Sequence, residues 1–397
     1  MADNNENKVL NVPHLRFPEF SGEWEEEQLD SIATLSKGIG ISKEQLSEDG
    51  EPCILYGELY TKYKSEIIKQ VESKTDIDCS KLKRSKANDV IIPCSGETAV
   101  DIATARCVPF DNILLGGDLN IISLHKYDGA FMSYQLNGKR KYDIARVAQG
   151  VSVVHLYGEH LKAIKTYNPS LPEQQKIAKL LSLIDERIAT QNKIIEDLKK
   201  LKSAIIEIEY SPKDSYHSHI GGAIVQISKR NKDNHLCNVL SVSNRQGFIK
   251  QSEQFEDRNV ASDDTSNYKI VEKNDFAYNP ARINVGSIAR LTKFETGIVS
   301  PMYICFRTKD CLLPEYLELF FESRNFFYHI QKRLEGSVRL CLSYEELCNI
   351  PIVIPSIEKQ KQVDLHLSKL AQKIDLEMKI LQFVQQQKTY LLHQMFI

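Results

Sequence analysis

The nine cysteines, scattered from Cys53 to Cys348, include no C-x-x-C pair. An odd, dispersed set supports neither a disulfide framework nor a cysteine zinc site, so reduced thiols and a cytoplasmic setting are expected. No run of about 18 apolar residues occurs, and the opening MADNNENK has no apolar stretch behind a basic segment. Neither a membrane span nor secretion is therefore expected. There is no charge excess either: 51 Lys and Arg against 53 Asp and Glu leave a net charge of -2. With no global field to attract nucleic acid, any DNA contact has to come from local basic clusters. The absence of G-x-G-x-x-G and of a P-loop argues against a nucleotide or methyl-donor site within the chain, so no cofactor of its own is expected.

What is present is a repeat. The 397 residues, 42% hydrophobic, can build two cores. Pro169-Ser-Leu171 returns as Pro355-Ser-Ile357, a shift of about 186 residues, and the shift carries Gln174 onto Gln360 and Lys193-Ile194 onto Lys379-Ile380. In the first copy Ile177, Leu181, Ile184, Ile188, Ile195, Leu198 and Ile205 alternate by four and three residues, the seam of a coiled coil. The second copy reads Val363, Leu367, Leu370, Ile374, Leu381, Val384 and Leu391, and even its polar interruptions coincide, Gln191 with Glu377 and Lys202 with Lys388. Each helix should begin after its proline and end near Glu209 or Met395, giving about 55 Å at the standard rise. Amphipathic helices this long need a partner, and an intervening globular module favours packing the two antiparallel.

The same shift aligns Asn88-Asp-Val90 with Asn274-Asp-Phe276, Gly150 with Gly336, and Leu161 and Ile164 with Leu347 and Ile350. The globular parts are therefore repeated too. Short β-rich runs at Asp89 to Pro93, Leu119 to Leu124, Gly297 to Ser300 and Met302 to Phe306, with a helix from Pro314 to Arg333, make both modules mixed α and β. The fold class is α+β, with a pseudo-two-fold internal repeat. Its expected segments are a first module at 1–168, a spacer helix at 169–210, a second module at 211–354 and a distal spacer helix at 355–397. His217-Ser-His219 lies in a polar stretch that is read as linker, and no metal site is expected.

The run Leu15-Arg-Phe-Pro-Glu-Phe-Ser-Gly-Glu-Trp24, the segment Tyr56-Gly-Glu-Leu-Tyr-Thr-Lys-Tyr63, and above all the passage from Gly150 through Leu161 into Pro169-Ser-Leu-Pro-Glu-Gln-Gln-Lys-Ile177 resemble the specificity subunit of type I restriction-modification systems. The second half departs from the pattern: Glu358-Lys-Gln-Lys-Gln-Val363 has lost the Pro-Glu-Gln-Gln form, and the second module's opening lacks a tryptophan. The resemblance implies two target-recognition domains separated by conserved helices. It also implies double-stranded DNA as ligand and a complex with two modification subunits that methylate adenine and two restriction subunits that translocate and cut. The subunit itself would be non-catalytic, with S-adenosylmethionine, ATP and Mg bound by its partners.

Within the chain, Asn279-Pro-Ala-Arg282 lacks the second proline and the aromatic ring of the adenine methyltransferase motif. Nothing marks an orienting histidine for Cys94. Base reading needs donors and acceptors on loops, with cations nearby for phosphates. In the first module the candidates are Tyr60, Thr61, Lys62, Tyr63, Lys81, Lys83, Arg84, Ser95, Thr98, Lys139, Arg140, Lys141 and Gly150. In the second they are Asn244, Arg245, Gln246, Asn279, Arg282, Asn284, Lys332, Arg333, Gly336, Ser337 and Arg339. Gly150 and Gly336 are expected to approach the phosphate backbone. Two unlike modules imply an asymmetric, bipartite target. A two-module coiled-coil scaffold for protein or RNA partners is the alternative of a different class.

Overall fold

The computed structural model describes residues 10–150, 153–211, 218–244, 246–254, 264–336 and 340–397. The chain forms two compact units, one of Met1–Lys193 with Lys379–Ile397, the other of Ile194–Met378. Two long helices, Leu171–Glu209 and Ile357–Gln394, contribute to both.

In the first unit a four-stranded sheet runs in the order Ala33–Lys37, Leu119–Leu124, Asp89–Pro93, Arg106–Val108. A second sheet centres on the parallel pair Glu51–Ile54 and Leu114–Leu115. The second unit repeats the plan with different side chains. Its first sheet runs Ile224–Ile227, Ile304–Thr308, Phe276–Tyr278, Ile288–Arg290. Its second sheet again contains one parallel pair, Val239–Ser243 with Thr296–Val299. In both units the first sheet packs its apolar face on helices, Val90, Ile92 and Ile122 against Met132 and Leu136 in one, Phe276 and Phe306 against Leu317 and Phe320 in the other.

Small devices recur at the repeat interval. Asn88 and Asn274 both adopt left-handed backbone, φ 81° and 71°, which asparagine tolerates better than most residues. The following aspartates close the same turn: Asp89 accepts from the Lys86 amide at 2.8 Å, Asp275 from the Glu272 amide at 2.7 Å. Gln174 donates to the Pro169 carbonyl at 2.8 Å and accepts from the Asp128 amide at 2.9 Å. Gln360 likewise donates to the Pro355 carbonyl at 2.9 Å and accepts from the Leu313 amide at 2.8 Å. Each buried glutamine thus pins the start of a long helix to the start of a helix in its module, and each satisfies backbone groups that would otherwise be stranded.

Within the first unit the start of one long helix meets the end of the other: Ile177, Ala178 and Leu181 share a core with Trp24, Phe131, Leu391, Met395 and Phe396. Lys388 ion-pairs with Asp185 at 2.6 Å, so residue numbers rise along one helix as they fall along the other, an antiparallel pairing. In the second unit Ile205, Ile206 and Tyr210 pack with Tyr316, Val363 and Leu367. There Lys359 pairs with Glu209 at 3.5 Å, again antiparallel. Seam positions Ile177, Leu181, Ile195, Val363, Leu367, Ile374 and Leu391 are buried, and Ile184, Ile188, Leu198, Ile205, Leu370, Leu381 and Val384 half-buried, while their flanking residues are mostly exposed. Phe396 lies edge-on to Trp24 at 6.3 Å, and Tyr210 lies 4.8 Å from Tyr316, so the end of each long helix is anchored by one buried aromatic ring.

The stretch from Pro314 to Arg333, expected as one helix, is two, Pro314–Phe321 and Arg324–Arg333. Ser323 interrupts it because its hydroxyl caps the second helix, accepting from the Phe326 amide at 3.1 Å. Among the described residues no helix is long and apolar enough to cross a membrane.

Candidate nucleic-acid interface

In the first module the strand Asp89–Pro93 runs out into a turn at Cys94, Ser95 and Gly96, and the backbone holds that turn on every side. The Cys94 amide donates to the Asp118 carbonyl at 2.7 Å, and the Cys94 carbonyl accepts from Leu156 at 2.8 Å. Ser95–Gly96 pairs with Val154–His155, and Gln149 and His155, on either side of Gly150 in the sequence, exchange hydrogen bonds of 2.9 and 2.7 Å. Gly150 has φ +119°, and a Cβ there would run into the Val153 carbonyl, so the position requires glycine.

The second module builds the same corner. Its strand Phe276–Tyr278 runs out into Asn279-Pro280-Ala281-Arg282, and the Pro280 carbonyl accepts from Leu342 at 3.1 Å. Glu335 and Cys341 exchange hydrogen bonds of 2.9 and 2.8 Å, and Gly336 between them also has φ +119°. Backbone is kept where side chains change: Ser95 and Gly96 give way to Ala281 and Arg282, and His155 and Tyr157 to Cys341 and Ser343. A fixed frame with exchanged side chains is what two readers of different sequences need.

The corner of the first module gathers Ser95, Thr98 and Gly150. Tyr60 lies within electrostatic reach of Glu97 and Asp101 beside Thr98; burial, then the Tyr56 phenol and those acids, hold its own phenol above the usual tyrosine range. Thr61 and Lys62 are exposed next to it, with Lys62 paired to Glu58 at 2.7 Å. Two of these side chains are spent inside the module: Tyr63 is buried in its core, and the buried Ser95 hydroxyl donates to Asp118 at 3.0 Å. In the second module Asn244, Asn279 and Arg282 line one cavity of about 310 Å³ with Tyr268, Ser287 and Tyr303. Asn284 follows in the turn Ile283–Val285, and Lys332 and Arg333 end the helix that leads to Gly336. Lys332 lies 4.3 Å from the Tyr328 ring, and Arg333 faces Glu346 at 3.6 Å. Gln246 is exposed, while Arg245, Ser337 and Arg339 lie outside the described residues.

The remaining basic candidates fall elsewhere. Lys83 and Arg84 line a separate cavity of about 330 Å³ with Asn88 and His125, and Arg84 forks onto Glu51 at 2.5 and 2.9 Å. Lys81 is exposed nearby and Lys139 half-buried. Arg140 donates to the Ile397 carbonyl at 3.0 Å and pairs with Asp143 at 3.2 Å, and burial holds the Lys141 ammonium below the usual lysine range. Within the polar stretch after the first long helix, His219 is exposed and pairs with Pro351, whereas His217 lies outside the described residues.

Sequence reasoning missed one group at the first corner. Tyr157 is 46% exposed, stacks on His155 at 6.1 Å, meets His160 edge-on at 5.6 Å and has the Lys37 ammonium 5.8 Å from its ring. Rings beside a cation suit base edges and phosphates. In the sequence His155-x-Tyr157-x-x-His160 shows only the two- and three-residue steps of ordinary strands and helices, so the spacing alone does not mark the group.

Residues 21–200 match the family model of the type I restriction modification DNA specificity domain. No curated protein sequence matches the chain. Among solved structures, the type I restriction-modification system S subunit from M. genitalium is 17% identical, with a TM-score of 0.60 over 97% of this chain and 99% of that one. A chain from the type I R-M system solved for its complex assembly and conformational transition is 13% identical, with a TM-score of 0.56 over 94% of this chain and 97% of that one. At such identities the likeness is one of fold, and it spans both modules and both long helices.

Proposed function

From the type I restriction modification DNA specificity domain that residues 21–200 carry, we propose that the chain is the DNA-choosing subunit of a type I restriction-modification complex. Each module reads one half of a bipartite, asymmetric target, and the long helices scaffold two adenine-methylating modification subunits and two restriction subunits. The chain does no chemistry; S-adenosylmethionine, ATP and Mg belong to its partners, and the complex works in the cytoplasm.

The observation that carries this reading is the shared corner. Both modules hold a glycine at φ +119° inside the same pair of reciprocal hydrogen bonds, and both stitch that segment to the turn after the same strand. A polar turn on a rigid frame is suited to enter a major groove, with the glycine loop letting backbone approach a phosphate. The side chains at the two corners differ, so the two half-sites should differ. Co-expression with the neighbouring methyltransferase gene and methylome sequencing tests it. The expected result is methyladenine in two unlike short motifs at a constant separation; methylation without a motif, or in one uninterrupted palindrome, would contradict it.

A further inference from the structure

Arginine is the side chain best shaped to read guanine, because its planar fork matches the O6 and N7 acceptors in the major groove. Of the six described arginines in the second unit, four have their forks already engaged. Arg290 holds Glu315 and Glu318, Arg307 holds Asp275 and Glu272, Arg333 faces Glu346, and Arg230 donates to Asn267. Arg282 differs from these four: its side chain is exposed and makes no hydrogen bond or ion pair among the described residues, and unlike Arg324, which is also exposed, it lines the cavity of the second corner.

Its backbone, by contrast, is fully tied. The Arg282 amide donates to Asn279 at 3.0 Å, its carbonyl accepts from Val285 at 3.2 Å and Ser287 at 3.1 Å, and Asn279 itself donates to Ser287 at 3.1 Å. An exposed head on an anchored stem suits base reading, since the backbone is fixed before binding and no ion pair among the described residues has to be broken. Behind it lies the cavity of about 310 Å³, onto which Asn244 and Asn279 also open and where Gln251 Oε1 is buried without a partner.

We propose that Arg282 reads a guanine in the half-site of the second module, its guanidinium donating to O6 and N7, with Asn244 and Asn279 contacting the adjacent base edge. This rests on the specificity-subunit reading and adds to it the identity of one base and of the group that selects it.

The methylome of cells carrying Arg282→Gln with the methyltransferase partner tests the proposal. One guanine of the second half-motif is expected to become degenerate, while the first half-motif and the gap stay as in the parent. The intact first half shows, in the same reads, that the complex assembles. As a measurement on the unaltered complex, replacing that guanine by 7-deazaguanine removes the N7 acceptor and should weaken binding about tenfold. The same replacement should leave Arg282→Gln binding unchanged. A parent half-motif without a G·C pair, an unchanged motif in Arg282→Gln, or indifference to 7-deazaguanine would each overturn the proposal. A uniform loss of affinity with a shallower salt dependence would make Arg282 a phosphate contact instead and would also overturn it. If the parent complex gave no bipartite motif, the specificity-subunit reading itself would have failed first.

Discussion

Lys388 offers the sharpest test of the packing, because the repeat supplies its own control. The Lys388 ammonium lies 2.6 Å from Glu66 and 2.6 Å from Asp185. Both carboxylates are buried, and Asp185 also accepts from Ser65 and Tyr134 at 3.0 and 2.7 Å. Lys388→Met keeps the stem and removes the charge, leaving two buried acids without their ion-pair partner and with only the field of the Arg106 guanidinium, which costs about 3–5 kcal/mol when a buried pair loses one partner. For a unit of this size that is a fall of roughly 10 °C in Tm. Lys202, its counterpart in the repeat, pairs with Glu322 at 2.6 Å, but that carboxylate is 46% exposed, and Lys202→Met should cost at most about 1 kcal/mol. Trp24 is the single tryptophan and is buried in the same unit as Lys388, so its emission follows that unit's unfolding; circular dichroism follows Lys202→Met. Burial holds the Glu66 carboxyl above the usual glutamate range, and removing the lysine raises it further. The folded chain then keeps a proton that the unfolded chain has released, so stability falls as pH rises through that interval. The deficit of Lys388→Met should accordingly be larger at pH 8 than at pH 5. A loss below about 1 kcal/mol, equal to that of Lys202→Met, or a deficit that grows on acidification, would refute the reasoning.

Tyr157→Ala should weaken duplex binding by the assembled complex about 5- to 30-fold, with Trp24 unfolding unchanged; equal affinity in a mobility-shift titration would remove the aromatic group from the interface. Gly150→Ala and Gly336→Ala each force a side chain into left-handed backbone, at about 1–3 kcal/mol, and should lower both Tm and DNA affinity. Calorimetry showing no destabilisation in either variant would mean that the loops do not need glycine. One heptad added to each long helix extends it by about 10.5 Å, about three base pairs, so the gap in the methylation motif should widen by that amount. A constant gap would deny the helices their spacing role.

Much of the architecture was legible because it is periodic. The four-and-three spacing from Ile177 to Ile205 and from Val363 to Leu391 marks two long helices whose buried stripes run through those positions. The interval that aligns Gln174 with Gln360 also aligns two identical clamps. The sites were less legible because their geometry is made by distant residues. Arg140 reads in the sequence as part of a basic loop, yet its guanidinium reaches the carbonyl of Ile397. Ser95 reads in the sequence as a polar loop residue, and the fold spends its hydroxyl on Asp118. Tyr157 is not marked in the sequence because exposure and the approach of Lys37 are tertiary facts. Lys388 could be seen as a polar break in the seam, but its two buried carboxylates could not, since Glu66 lies more than 300 residues away.

The most direct test of the account is an exchange of residues 20–165 for the corresponding segment of a relative with a different target, followed by methylome sequencing beside the unaltered chain. One half of the bipartite motif is expected to change to the donor's while the other half and the gap stay fixed. Both halves changing together, or neither, would contradict the assignment of one half-site to each module.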